Sequence, residues 1–182
     1  KERRINIDPS QYLDDVTEQA ISAILGTKQS QIERSSPSGM IHSIKCILFA
    51  DIVGYSKLHE EQTPYFMYDV LYSISEQMEK LPQQPEILNT WGDALFAVFD
   101  RASDLIKMAI LLKNLFLNTD WEEKSLPEHL NIRIAVHAGP VFTGKDPIRK
   151  VLNGYGSHIN RTARIEPVTL PGCIYASAQF AA

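Results

Sequence analysis

The chain has 182 residues, of which 44% are hydrophobic, 22% charged and 9% aromatic; this fits one globular domain with a short appendage better than two domains. A formal net charge of −4 excludes the basic field that holds nucleic acid, so a polyanionic ligand would need local positive charge from metals or a few Arg residues. No apolar run approaches the roughly 18 residues of a membrane span, and no signal peptide is visible, although the chain begins at Lys1 rather than Met. The expected setting is therefore cytoplasmic, with neither a membrane nor a nucleic-acid partner.

Residues 1–39 read as a helical lead-in followed by a linker. Val16, Ala20, Ile21, Ala23, Ile24 and Leu25 give one apolar face, Gly26 is a plausible C-cap, and Ser35-Ser36-Pro37-Ser38-Gly39 marks a loop. This lead-in has three open roles: packing on the domain, dimerisation, or connection to a regulator. Residues 40–182 form the domain proper. Ile44 to Ile52 is apolar enough for a buried central strand. Thr63 as N-cap and Pro64 in the first turn open a helix that carries Phe66, Val70, Leu71, Ile74 and Met78. Ile87 to Trp91 and Ala94 to Phe99 flank Gly92-Asp93, a hairpin signature. Asp100 caps a second helix with Leu105, Met108, Ala109, Leu112 and Leu115 on one face. Leu130 to His137 alternates as a strand and ends at Gly139-Pro140; Ser157 to Glu166 reads as helix, and Gly172 to Ser177 as a last strand. This order predicts an α+β fold: a ferredoxin-like βαββαβ core with an extra helix and strand. The two cysteines, Cys46 and Cys173, lie in apolar strand-like stretches and read as reduced core thiols.

Several polar residues interrupt this pattern. Asp51 breaks the apolar run F-A-D-I-V-G, where an uncompensated charge would cost several kcal/mol in order of magnitude. Asp93 sits at the hairpin tip, and a β-α-β-β layout brings that tip beside the end of the first strand. The two carboxylates would then converge, a donor set suited to hard divalent ions such as Mg²⁺ or Mn²⁺. The bland alternatives are a plain turn residue for Asp93 and a loop cap for Asp51. Gly54, Tyr55 and Ser56 follow the strand, where free backbone N–H groups can cradle phosphate. Asn160 and Arg164 are four apart and share one helix face. An amide that positions a ribose and a guanidinium that meets developing phosphate charge suit each other there; a merely solvated polar face is the alternative.

Four segments together resemble one family. F-A-D-I-V-G-Y-S (Phe49–Ser56) is similar to the first metal motif of class III adenylate and guanylate cyclases, and W-G-D-A-L-F-A-V-F (Trp91–Phe99) to their second. I-R-I-A-V-H-A-G (Ile132–Gly139) looks like a later family strand, and G-S-H-I-N-R-T-A-R (Gly156–Arg164) resembles the catalytic helix motif G-x-x-V-N-x-x-x-R. The resemblance implies a lyase that converts a nucleoside triphosphate into a cyclic 3′,5′-monophosphate and pyrophosphate. It implies two divalent metals held by Asp51, Asp93 and the backbone carbonyl of Ile52. Asn160 would orient the ribose and Arg164 would stabilise the α-phosphate, with Arg133 near the phosphates. The metal Asp residues of one protomer would face Asn160 and Arg164 of the other, so a homodimer with composite sites is implied.

This sequence departs from the family pattern at the base. The positions that usually carry a Lys and an Asp for adenine, or a Glu/Cys pair for guanine, are Asn89 and Asn153, the latter seven residues before Asn160. A triphosphate-binding Lys, usual well after the catalytic helix, would fall beyond Ala182. The H-I-N-R and A-R-I-E-P stretches resemble the bacterial pyrimidine cyclases of anti-phage (Pycsar) systems, which implies UTP as substrate, CTP next, and cUMP or cCMP as product. The other readings are an adenylate cyclase and a degenerate cyclase-like module that binds nucleotide and regulates something else. No G-G-[DE]-E-F signature occurs, so a diguanylate cyclase is set aside.

Overall fold

The computed structural model describes Ile5–Asn6 and residues 39–181. Strand β1 is the short Ile5–Asn6, and β2 runs Ile41–Val53, longer at both ends than its apolar run. A helical stretch follows: α1 (Thr63–Tyr65), a π-helical segment (Phe66–Leu71) and α2 (Tyr72–Glu79). Strands β3 (Ile87–Trp91) and β4 (Ala94–Phe99) form the expected hairpin, and α3 covers Ala102–Asn118. Then come β5 (Asn131–Lys145), β6 (Leu152–Tyr155), α4 (Ser157–Ile165), β7 (Ile174–Ala176) and α5 (Ala178–Ala181).

The sheet order is β1-β7-β5-β2-β4-β3, with β6 also on β5. Strands β5, β2, β4 and β3 pair antiparallel, which is the split β-α-β arrangement of the ferredoxin-like core. Strand β7 joins β5 parallel, as the extra strand. The expected α+β architecture is the one observed.

Period-two alternation assigns the two faces of this sheet. Cys46, Leu48, Ala50 and Ile52 of β2 join Leu95, Ala97 and Phe99 of β4 and Ile132, Ile134 and Val136 of β5 in the main core. Onto that face pack Phe66, Val70, Ile74 and Met78 from the first helical stretch, and Leu105, Met108, Ala109 and Leu112 from α3. The alternate residues point the other way, and cross-strand register orders them in rows. One row runs Ile87–Val98–Ile47–His137, the next Asn89–Phe96–Phe49–Ala135, and the last Trp91–Ala94–Asp51–Arg133. Gly154 of β6 approaches Ile87, Val141 and Ile159 of α4, so β6 and α4 lie over this second face.

Four local expectations need correction. Thr63 is the first helical residue rather than the N-cap; Gln62 holds the cap position because a 3-10 turn, Glu60–Gln62, leads straight into the helix. Asp100 does not cap α3: Arg101 holds the N-cap position, with no side-chain cap, and Asp100 is drawn instead to Lys45 Nζ at 2.5 Å. Lys45 also meets Glu86, so this buried ammonium is held between two carboxylates. Strand β5 does not end at Gly139-Pro140 but continues to Lys145. On its outer edge β7 pairs Ile134 to Val136 and β6 pairs Phe142 to Lys145, so Pro140 falls in the gap between them, where an absent N–H costs no ladder bond. Ile5–Asn6, within the segment read as helical, pairs antiparallel with β7; the rest of that lead-in lies outside the described residues. Both cysteines are free, and burial pushes the Cys46 thiol up to about 12, which keeps it inert.

Candidate active site

The second sheet face collects the chemistry-bearing residues. Asp51 lies opposite Ala94 on β4, and the Ile52 N–H donates to the Asp93 carbonyl at 3.1 Å, so the hairpin tip is tied beside the end of β2. The tip turns through Gly92 at φ 61°. The chain leaves β2 through Gly54 at φ 105°, a left-handed conformation that favours glycine. The Tyr55 ring packs on Phe66, centroids 4.6 Å apart, and reaches over Gly92. Tyr55 thereby buttresses the loop that carries Asp93; Ser56 beside it is exposed.

Arg133 faces Asp51 across the β2–β5 ladder and donates to Asp51 Oδ2 at 2.6 Å. Its Nε also comes within 2.5 Å of Glu166 Oε1, a charge contact not aligned as a hydrogen bond. Burial, and then the Asp51 charge, hold the Asp93 carboxyl above the usual Asp range. Burial raises Glu166 too, partly offset by Arg133. Three carboxylates thus share one guanidinium, and the cluster is short of positive charge. Glu166 closes the stretch A-R-I-E, yet its part here was not legible: only the 3-10 turn at Glu166–Val168 swings it back toward β5.

The electrostatic shortfall suits divalent cations. Among the described residues no three His, Cys, Asp or Glu side chains form one ready ligand cluster. Asp51 and Asp93 would supply two carboxylates and Ile52 a carbonyl, leaving positions for substrate phosphate and water, the usual arrangement for Mg²⁺ at a nucleotide. The donor set is all oxygen and fits such ions.

Asn160 and Arg164 both project from α4 and are exposed; among the described residues no hydrogen bond or ion pair ties either to the Asp51 cluster. The helix is seated instead through His158. Its Nδ1 lies 2.8 Å from His137 Nε2, the rings stack with centroids 5.1 Å apart, and His137 Nδ1 meets Ser177 Oγ at 2.6 Å. His137 is fully buried. Both histidines lie inside the family-like motifs with no chemistry legible there; their contact needs β5 and α4 to be stacked.

Asn89 and Asn153, far apart in sequence, are brought together: Asn89 Nδ2 donates to Asn153 Oδ1 at 3.3 Å. In the same row as Asn89, next to the Asp51–Arg133 row, lie the rings of Phe49 and Phe96, centroids 4.9 Å apart, an apolar floor. Trp91, at the end of that row, is 88% exposed.

A family model for the adenylate and guanylate cyclase catalytic domain matches residues 40–182. The germination-specific adenylate cyclase of Dictyostelium discoideum is 26% identical over 148 residues, 72% of this chain and 17% of that protein. Guanylyl cyclase C of Homo sapiens is 29% identical over 143 residues, 72% of this chain and 13% of that protein. The chain therefore spans only a small part of these curated relatives. Among solved structures, the adenylyl cyclase CyaB from P. aeruginosa superposes with a TM-score of 0.67 at 20% identity, covering 78% of this chain and 80% of that one. The guanylate cyclase domain of RhGC from Catenaria anguillulae, solved with GTP, gives 0.63 at 18% identity, covering 75% of this chain and 79% of that one. At such identities the likeness speaks to the fold. With the family model spanning every described residue from Met40 onward, the chain belongs to the adenylate and guanylate cyclase catalytic-domain family, the class III cyclases.

Proposed function

We propose that this domain converts a nucleoside triphosphate into a cyclic 3′,5′-monophosphate and pyrophosphate, as one half of a homodimer. The observation that carries the reading is the convergence of Asp51 and Asp93 in one electron-rich cluster on the open sheet face. Two divalent ions, Mg²⁺ or Mn²⁺, bound by Asp51, Asp93 and the Ile52 carbonyl would lower the pKa of the ribose 3′-hydroxyl and neutralise triphosphate charge. The 3′ oxygen forms a bond to the α-phosphorus, the bond to the β-phosphate oxygen breaks, the hydroxyl proton is lost to solvent and pyrophosphate leaves.

The work of the chain is positioning and charge stabilisation. Gly54, Tyr55 and Ser56 offer backbone N–H groups to the phosphates. Arg133, already beside Asp51, is close enough to turn a guanidinium toward them. Asn160 orients the ribose and Arg164 meets charge on the α-phosphate. Both are exposed and unbonded to the Asp51 cluster of their own chain, which supports a site completed across two protomers. Exposed aromatic surface at Tyr65, Tyr68, Tyr72 and Trp91 supports association as well.

Asn89 and Asn153 read the base. UTP is the preferred substrate and CTP the next, giving cUMP or cCMP, and the resemblance of the H-I-N-R and A-R-I-E-P stretches to the anti-phage branch supports a product used in defence signalling. ATP is the competing substrate, favoured by the name of the Dictyostelium relative. Incubating the purified dimer with each of the four NTPs, in Mg²⁺ and in Mn²⁺, and identifying the cyclic product decides between them. A higher kcat/KM for ATP than for UTP returns the protein to the adenylate cyclases, and no product with any NTP leaves a regulatory module.

A further inference from the structure

The two base-facing amides do not stand free; they are links in a hydrogen-bond chain whose direction is set at both ends. Arg149, on the turn between β5 and β6, donates from Nη1 to Asn89 Oδ1 at 2.8 Å. A guanidinium can only donate, so the Asn89 oxygen must face it and the Asn89 NH₂ must point away. That NH₂ donates to Asn153 Oδ1, which also accepts the Gly154 N–H at 2.9 Å. The Asn153 Nδ2 then donates to Asp146 Oδ2 at 3.4 Å, and the Tyr155 hydroxyl donates to the same oxygen at 3.2 Å. The other oxygen of Asp146 accepts the N–H groups of Ile148 and Arg149 at 2.8 and 2.9 Å. Those bonds hold the Asp146 carboxyl below the usual range, so it remains an acceptor. A donor-only group at one end and an acceptor-only group at the other leave neither amide free to flip.

Both amide oxygens are thereby engaged, and the capacity that remains on this edge is mainly N–H: the second hydrogen of Asn89 and the unused donors of Arg149. We infer that Arg149 and Asp146 are positioning residues that lock Asn89 and Asn153 as donors, so that the site selects bases with a carbonyl at uracil C4 or guanine C6 over the amino-bearing cytosine and adenine. This rests on the reading of Asn89 and Asn153 as the base readers. It is independent of ring size: UTP exceeds CTP, and GTP exceeds ATP, whichever ring the pocket prefers. Donor facing donor leaves a half-buried amide hydrogen and a base amino group unpaired, so each ratio in kcat/KM is roughly tenfold.

The test compares the four NTPs on the full chain and on variants, with affinities for the four α,β-methylene analogues measured alongside so that a variant that binds without turnover still reports. Arg149→Lys keeps a donor-only group and preserves both ratios. Arg149→Glu presents an acceptor, so the Asn89 NH₂ is drawn both to it and to Asn153 Oδ1 and the amide loses its fixed direction; both ratios fall toward one, mainly through KM. A uniform loss across all four nucleotides in Arg149→Glu, or wild-type ratios at or below one while Asn89→Ala alters base preference, overturns the inference. Asn89→Ala and Asn153→Ala that leave every base ratio unchanged sink the base-reader assignment itself, a separate failure.

Discussion

Gly139 is the position where the packing of α4 is most directly testable. A Cβ built there falls 2.5 Å from His158 Cγ and 2.7 Å from Cε1, and nearer still to Nδ1, well inside contact distance. The imidazole cannot yield cheaply, because its Nδ1 is bonded at 2.8 Å to His137, which is fully buried. Gly139→Ala must therefore either push α4 off β5 or swing His158 out and break the histidine pair. Overpacking costs about 1–3 kcal/mol, and a buried polar group left without its partner costs about 1–3 kcal/mol more. Taking about 3 kcal/mol in all, with roughly 2–4 °C per kcal/mol for a domain of this size, the melting temperature falls by about 6–12 °C. Activity falls as well, because α4 carries Asn160 and Arg164, and a displacement of about 1 Å in such groups costs on the order of a hundredfold. His158→Ala in the same chain removes the colliding ring, so the double variant melts above Gly139→Ala and recovers part of its rate. The assay is thermal melting with cyclic-nucleotide formation for the wild type, both single variants and the double variant. A Gly139→Ala protein that melts within a degree of wild type, or a double variant no better than Gly139→Ala, refutes the seating of α4 on Gly139.

Asp51→Ala and Asp93→Ala each remove one of two hard ligands, so turnover drops to background while circular dichroism and melting stay near wild type; near-normal rates for Asp93→Ala at saturating Mg²⁺ would reduce Asp93 to a turn residue. Mixing an Asp51→Ala protomer with an Arg164→Ala protomer restores part of the activity through one intact composite site, and failure to do so despite demonstrated subunit exchange points to a site built within one chain. The carboxyl of Asp93 is raised in the folded protein above its ordinary value of 3.8, so its stabilising contribution is present below that pH and lost as pH rises through the raised value. In EDTA, Asp93→Asn is accordingly at least as stable as wild type at pH 7, and the difference closes toward pH 4; denaturant titrations at both values check the sign. Lys45→Met strands Glu86 and Asp100 without their shared cation and lowers the melting temperature, whereas Lys45→Arg keeps the charge and loses less.

Much of the fold is legible in the linear chain because its signals are local. The β3–β4 hairpin follows from alternation around Gly92-Asp93, and its observed bounds are the expected ones. The apolar run of β2 announces a buried strand, and the spacing of strands and helices is enough to select the split β-α-β order. Asp51 stands out as a charge inside that run, and Asn160 and Arg164 as a pair at helical spacing. Strand ends, caps and turn contacts were decided elsewhere. Asp100 has the right chemistry to cap α3, but the ammonium of Lys45, delivered by the neighbouring strand β2, competes for it and wins. β5 passes through Pro140 because its outer edge lacks a neighbour there, between β7 and β6, a fact of topology that no window of residues contains. Glu166 reaches Arg133, and His158 reaches His137, only once α4 and its following turn lie over the second sheet face. The same holds for the edge proposed to read the base. Asn89 and Asn153 are ambivalent amides in the sequence, able to donate or accept, and it takes the folded turn with Arg149 at one end and Asp146 at the other to give them a direction. Residue type and spacing determine which groups are present and which element each rides on. Hydrogen-bond polarity, shared counter-charges and close approach depend on pairs distant in sequence, and those were settled by tertiary structure alone.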